Sequence, residues 1–181
     1  MWTFGILGRL DAVEDETTRF YAYIGLCVST AAGIEQCLFY CFYQSSPLSY
    51  EPATAEFYKN VEFKRKRKLA AASVRSIFKD GSSRQTWDQL IYEVEQLCGP
   101  DGVRNLVSHN ELGVDIFLPT NGDDEGPLLE LSVSQNRHII STGRRDPQRT
   151  NLESLRLYTA DLTSLHLRMI EFHRVQLSNR K

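Results

Sequence analysis

The chain has 181 residues and a mass of 20.7 kDa, which is the size of one domain. Hydrophobic residues make up 41% and charged residues 24% of it, which argues against extensive disorder. Its net charge of −2 argues against a uniformly basic nucleic-acid-binding surface but is compatible with a local basic patch. We predict a single helical domain over residues 1–181.

The first predicted element is a long helix that follows an acidic lead-in at residues 1–16. The segment Phe20–Tyr43 is 24 residues long and carries one formal charge, Glu35, so its length matches a membrane span. Polar residues near its middle would be costly in lipid, and no run of Lys or Arg flanks it. We therefore interpret it as a buried bundle helix and expect no membrane association.

Three further helices and a small β-hairpin are predicted after it. The second helix is expected over Thr54–Phe78 with Gly81 as its C-cap, and the third over Gln85–Cys98. A short helical piece at 103–110 precedes alternating strand patterns within 114–141, and the last helix is expected from Thr159 to Leu177. The predicted fold is mainly α: a four-helix up-and-down bundle with a β-hairpin insertion, residues 114–141, before the last helix.

The four cysteines, Cys27, Cys37, Cys41 and Cys98, form no CxxC pair and have no nearby His at zinc-finger spacing. Three of them lie in one apolar segment, where cysteine usually acts as a small hydrophobic residue. We predict a reducing, cytoplasmic location, no metal site and no cofactor.

One short segment carries the functional prediction: Arg104-Asn105-Leu106-Val107-Ser108-His109, which follows the third helix and lies in the short helical piece at 103–110. It resembles the Arg-polar-x3-His signature of the HEPN superfamily, small helical-bundle domains common in prokaryotic RNA-targeting toxins and defence proteins. A first helix with an interior Glu35, a second helix with a basic stretch from Phe63-Lys64 and a closing helix after an insertion match the same layout.

The resemblance implies a metal-independent endoribonuclease whose composite cleft forms across a homodimer, with 2′,3′-cyclic phosphate ends on the product. It further implies a role in toxin–antitoxin systems or anti-phage defence, with an antitoxin or regulatory protein as a partner. A non-catalytic HEPN-like module that binds RNA or a partner protein is the alternative.

The residue types suit this chemistry. A histidine such as His109 can remove a proton from a ribose 2′-OH or deliver one to the leaving oxygen, since it titrates near neutral pH. A guanidinium such as Arg104 can meet two phosphoryl oxygens at once. Asn105 shares a helix face with His109 and can orient its ring, whereas Arg104 lies about 140° away on the same helical wheel. A single copy therefore does not form a compact site readily.

Structural roles compete with this interpretation. Arg104 can instead pair with Asp101, while His109 and Asn110 end a helix. A second Arg-x4-His match, Arg168 to His173, lacks the polar residue after Arg and lies in an ordinary amphipathic helix, so we interpret it as coincidence.

Two basic clusters are candidate RNA-binding surfaces. Between residues 59 and 84 there are nine Lys or Arg against two acidic residues. A second cluster lies in the predicted insertion and the loop after it, and consists of Arg137, His138, Arg144, Arg145 and Arg149. A solvated helix face is an equally good explanation of the first, and one or two of its members must lie toward the core. Glu35 is expected either to pair with a basic residue or to face solvent. The predicted RNA-binding residues are Lys64, Arg65, Lys66, Arg67, Lys68, Arg144 and Arg145.

Overall fold

The computed structural model describes residues 3–79, 81–99, 112–117, 128–133 and 150–178, with side chains for 18–79, 81–99 and 152–178. This part of the chain is mainly helical, which confirms the predicted helical class. Its helices are α1 (Thr3–Ser45), α2 (Tyr50–Tyr58), α3 (Phe63–Ile77), α4 (Ser82–Cys98) and α5 (Leu152–Phe172), which continues as one π-helical turn, His173–Leu177.

The predicted second helix, Thr54–Phe78, is wrong as one continuous element. The chain instead leaves α2 after Tyr58 and enters α3 at Phe63. Residues 59–62 contain neither Gly nor Pro, so the local sequence gives no signal of a helix break. Gly81 is the N-cap of α4 rather than the C-cap of the helix before it, and its φ of 87° lies in the region that favours glycine.

Side-chain contacts give the direction of each long helix. Where two helices run in the same direction, residue numbers in their contacting pairs rise together. They rise together for α1 with α3 and for α1 with α5, whereas for α3 with α4 one number rises as the other falls. Within the described residues, α1, α3 and α5 are therefore parallel and α4 is antiparallel to them. The four long helices do not alternate as predicted, because the break after α2 reverses the chain before α3. The pairs are Glu35–Lys66 and Ser45–Ser73, Gly33–His166 and Tyr40–His173, and Arg67–Glu95 and Arg75–Asp88.

The core lies around α1, which packs against α3 and α5 with α2 across its C-terminal part. Between α4 and α5, the indole of Trp87 stacks on the ring of Phe172, with centroids 5.2 Å apart. α1 and α5 approach closely at Gly33, where a Cβ would lie 2.5 Å from Cε1 of His166. The fully buried side chains include Phe20, Ile34, Leu38, Phe57, Val74, Trp87, Val94, Leu155, Leu162, Leu165 and Met169.

The segment Thr18–Ser45 of α1 is long and apolar enough to cross a membrane by length and composition alone. Within its most apolar stretch, 44% is buried inside the protein. Core helices of soluble proteins share these properties, so this is weak evidence for a span.

Three short strands form an antiparallel sheet in the order β1 (Leu112–Phe117), β2 (Leu128–Val133) and β3 (Thr150–Asn151). The register pairs Val114 with Leu131 and Ile116 with Leu129. Most of the predicted insertion, residues 114–141, lies outside the described residues.

Candidate functional site

The Arg104–His109 motif lies outside the described residues, and so do Arg144, Arg145 and the predicted helical piece at 103–110. The structure describes the helix that precedes the motif. α4 ends at Cys98, with Gly99 in an extended conformation as its C-cap. Five residues, 99–103, separate Cys98 from Arg104 in the sequence. The catalytic roles of Arg104, Asn105 and His109 therefore remain predictions.

The basic run on α3 divides into two groups. Lys64, Arg65 and Lys68 are exposed, whereas Lys66 and Arg67 are buried. This agrees with the expectation that one or two members of the run lie toward the core. The exposed members are the ones that a nucleic acid can reach directly, and the buried members hold α3 to its neighbours.

Lys66 is the partner of Glu35, the only formal charge in the apolar segment of α1. Its Nζ donates a hydrogen bond to Glu35 Oε1 at 2.6 Å, and the side chains are 10% and 24% exposed. The same ammonium lies 5.0 Å from the ring centroid of Tyr58, a cation–π contact that joins α2 to α1 and α3. Burial, and then the negative charge of Glu35, raises the pKa of Tyr58. The expectation that Glu35 pairs with a basic residue is confirmed.

Arg67 makes the corresponding contact toward α4. Its Nη2 donates to Glu95 Oε1 at 2.5 Å, and this hydrogen bond lowers the pKa of Glu95. The other guanidinium nitrogen, Nη1, is buried and has no hydrogen-bond partner. The positive charges of Lys64 and Lys68 also lower the pKa of Glu95, by less than Arg67 does. Sequence reasoning missed the contacts of Glu95 and Tyr58, because Glu95 lies on another helix and Tyr58 meets Lys66 only through the break between α2 and α3.

The second Arg-x4-His match is engaged in structural contacts. Arg168 donates from both terminal nitrogens to the carboxylate of Glu93 on α4, and this lowers the pKa of Glu93. The ring of His173 packs beside Tyr40, with centroids 5.9 Å apart, and burial lowers the pKa of His173. Both residues therefore have contacts that account for them without catalysis.

A groove of about 530 Å³ lies between α4 and the end of α5. Its walls include Leu90, Phe172 and Val175, and its charged lining residues are Arg168 and Glu171. Since these two charges are opposite, the groove offers no net attraction to a phosphate group.

The cysteines and histidines of the described residues form no reactive or metal-binding arrangement. All four cysteines are buried and none forms a disulfide, and burial raises the pKa of Cys37 to about 11. A nucleophilic or metal-binding cysteine needs the thiolate, which this environment disfavours. Within the part of the chain described, no group of three His, Cys, Asp or Glu is placed to hold a metal ion.

A scan against protein-family models, a search of curated proteins and a search of solved structures give no match to this chain.

Proposed function

We propose that this protein is a metal-independent endoribonuclease of the HEPN type that acts as a homodimer. The observation that carries the proposal is the Arg104-Asn105-x3-His109 motif, which follows a bundle helix, α4, in a mainly helical chain. A role as a toxin or an anti-phage defence component, held in check by an antitoxin or regulatory protein, belongs to the same proposal.

The reaction needs two proton transfers and stabilisation of phosphoryl charge. The ribose 2′ oxygen attacks the adjacent phosphorus as one His109 takes its proton, and the bond to the 5′ oxygen breaks as the second copy's His109 protonates that oxygen. Arg104 meets the negative charge that builds on the phosphoryl oxygens. Asn105 orients the imidazole. The products are a 2′,3′-cyclic phosphate and a 5′-hydroxyl.

The test is cleavage of end-labelled RNA by purified protein in EDTA, with analysis of the cut ends. His109→Asn should lower the rate by at least about 100-fold, since a general acid–base residue typically contributes that much or more. His173→Asn is the matched control, because it makes the same change in the other Arg-x4-His element, and it should cleave at the wild-type rate. Circular dichroism and size-exclusion chromatography establish that each variant is folded.

Two results would overturn the proposal. Equal cleavage by the His109→Asn and wild-type proteins would place the activity elsewhere or in a contaminant. Failure of the folded wild-type dimer to cleave a range of RNAs would instead favour a non-catalytic binding module.

The exposed positions of Lys64 and Lys68 favour RNA binding as a second candidate function. If both contact phosphates of single-stranded RNA, the Lys64→Gln/Lys68→Gln variant should reduce the slope of log K against log salt by about 1.4. Lys79→Gln, another exposed lysine after α3, is the control and should leave the slope nearly unchanged. An unchanged slope in the double variant would remove these lysines from the RNA surface.

A further inference from the structure

The outward face of α5 has a charge and size pattern that is complementary to itself. Opposite the buried side of the helix, exposed residues recur at spacings of three and four. A Glu–Arg pair stands at each end of this face, and apolar side chains, including Leu167 at 60% exposed, occupy its middle. The members of the face are Glu153, Arg156, Ala160, Thr163, Leu167, Ile170, Glu171 and Arg174.

The two Glu–Arg pairs are 18 residues apart, which is five full turns, so they point in the same direction from the axis. Arg156 donates to Glu153 at 2.7 and 2.8 Å, and Arg174 donates to Glu171 at 2.7 and 2.9 Å. All four side chains are about half or more exposed. Each pair therefore remains accessible to a second molecule.

We propose that two copies of this chain associate through this face, with their α5 helices antiparallel about a two-fold axis between Thr163 and Ser164. This arrangement places Glu153 opposite the second copy's Arg174, and Arg156 opposite its Glu171. It also places the small Ala160 opposite the large Leu167. Every charge then meets its opposite, and the small residue meets the large one, as an isologous interface requires.

The size of the face suits a dimer. From Glu153 to Arg174 the helix is about 33 Å long, and half the lateral surface of a cylinder about 11 Å wide is roughly 570 Å² per copy. An interface that used the whole face of both copies would bury at most roughly 1,100 Å² in total, close to the ~1,000 Å² expected of a specific interface. Charged ends around an apolar centre match the polar rim of protein interfaces, whereas four charged residues on a lipid-facing helix would be costly.

This inference rests on the proposed function only in that the composite ribonuclease site needs a homodimer, and its test measures association rather than cleavage. The variants E153R/R156E and E171R/R174E each keep a Glu–Arg pair within their own helix but bring like charges together across the proposed interface. The wild type should be dimeric in sedimentation and light-scattering measurements, and each variant alone should be largely monomeric. An equimolar mixture of the two should form heterodimers, because every charge pair is then restored.

Leu167→Glu should also give a monomer, whereas Tyr92→Glu, which changes an exposed aromatic residue on α4, should remain dimeric. A monomeric wild type, swapped variants that stay dimeric, or a mixture that fails to associate would each overturn the interface. Dimerisation with the expected swap behaviour but no RNA cleavage would leave the interface standing and remove only the proposed activity.

Discussion

Replacing Glu35 with Gln removes the negative charge that faces the Lys66 ammonium inside the bundle. The Lys66 side chain is 10% exposed and its Nζ lies 2.6 Å from Glu35 Oε1, so water can replace little of the lost interaction. A charge left without its partner in a protein interior costs about 3–5 kcal/mol. Since Glu35 is itself 24% exposed and the amide still accepts a hydrogen bond, we expect a loss of about 2–3 kcal/mol.

Urea titrations followed by circular dichroism measure this loss directly as a change in the free energy of unfolding. For a chain of this length it corresponds to a fall in Tm of roughly 5–10 °C. Glu62→Gln is the matched control, because Glu62 pairs with Arg65 where both side chains are more than 60% exposed. It should change the free energy of unfolding by no more than about 0.5 kcal/mol.

The double variant Glu35→Leu/Lys66→Met distinguishes loss of the ion pair from the cost of leaving one buried charge unpaired. Because it removes both charges, it should recover most of the stability that Glu35→Gln loses. If Glu35→Gln lowers the free energy of unfolding no more than Glu62→Gln does, solvent screens the Glu35–Lys66 pair and its burial does not strengthen it.

Gly33→Ala should lower the free energy of unfolding by about 1–3 kcal/mol in urea titrations, because its Cβ would lie 2.5 Å from an imidazole of α5. Gly25→Ala, with no atom within 4 Å, should instead raise it by up to about 1 kcal/mol, and equal effects would contradict this packing. Arg168 holds the pKa of Glu93 below its ordinary value, so the pair stabilises the fold above that value and loses this contribution as pH falls through the lowered pKa. The difference in unfolding free energy between the wild type and Glu93→Gln should therefore shrink on acidification, and a constant difference would refute the assignment. Burial raises the pKa of Cys37 to about 11, so a thiol reagent at neutral pH should label it far more slowly in native than in unfolded protein; equal rates would mean that this thiol is accessible.

Helix α4 was predictable because its sequence has apolar residues at helical spacing and a helix-stop signal after them. Inward residues such as Trp87 and Val94 recur at helical spacing, and Gly99-Pro100 follows the last turn. The predicted helix Gln85–Cys98 is confirmed, with the same last residue and a start three residues earlier, at Ser82. The last helix begins at Leu152 rather than at the predicted Thr159. The predicted start was wrong because the sequence before Thr159 fits a strand and a helix equally well.

The candidate site was predictable only as a motif. Arg104, Asn105 and His109 stand together in the sequence, so their chemistry can be argued without a fold. Sequence also indicated that part of the Lys64–Lys68 run must face inward, since five consecutive helical positions cover more than one face. It did not identify Lys66 and Arg67 as the inward members, because that choice depends on carboxylates carried by α1 and α4.

The sequence by itself determined the helical class, the burial of the apolar helix α1 and the presence of a charge that needed a partner. These follow from local periodicity and from the cost of burying Glu35 alone. Only the tertiary structure decided the break after Tyr58, the parallel direction of α1, α3 and α5, and the choice of Lys66 as the partner of Glu35. Each of these depends on contacts between residues far apart in the chain, and no local pattern of side chains encodes which of several distant partners will pack together.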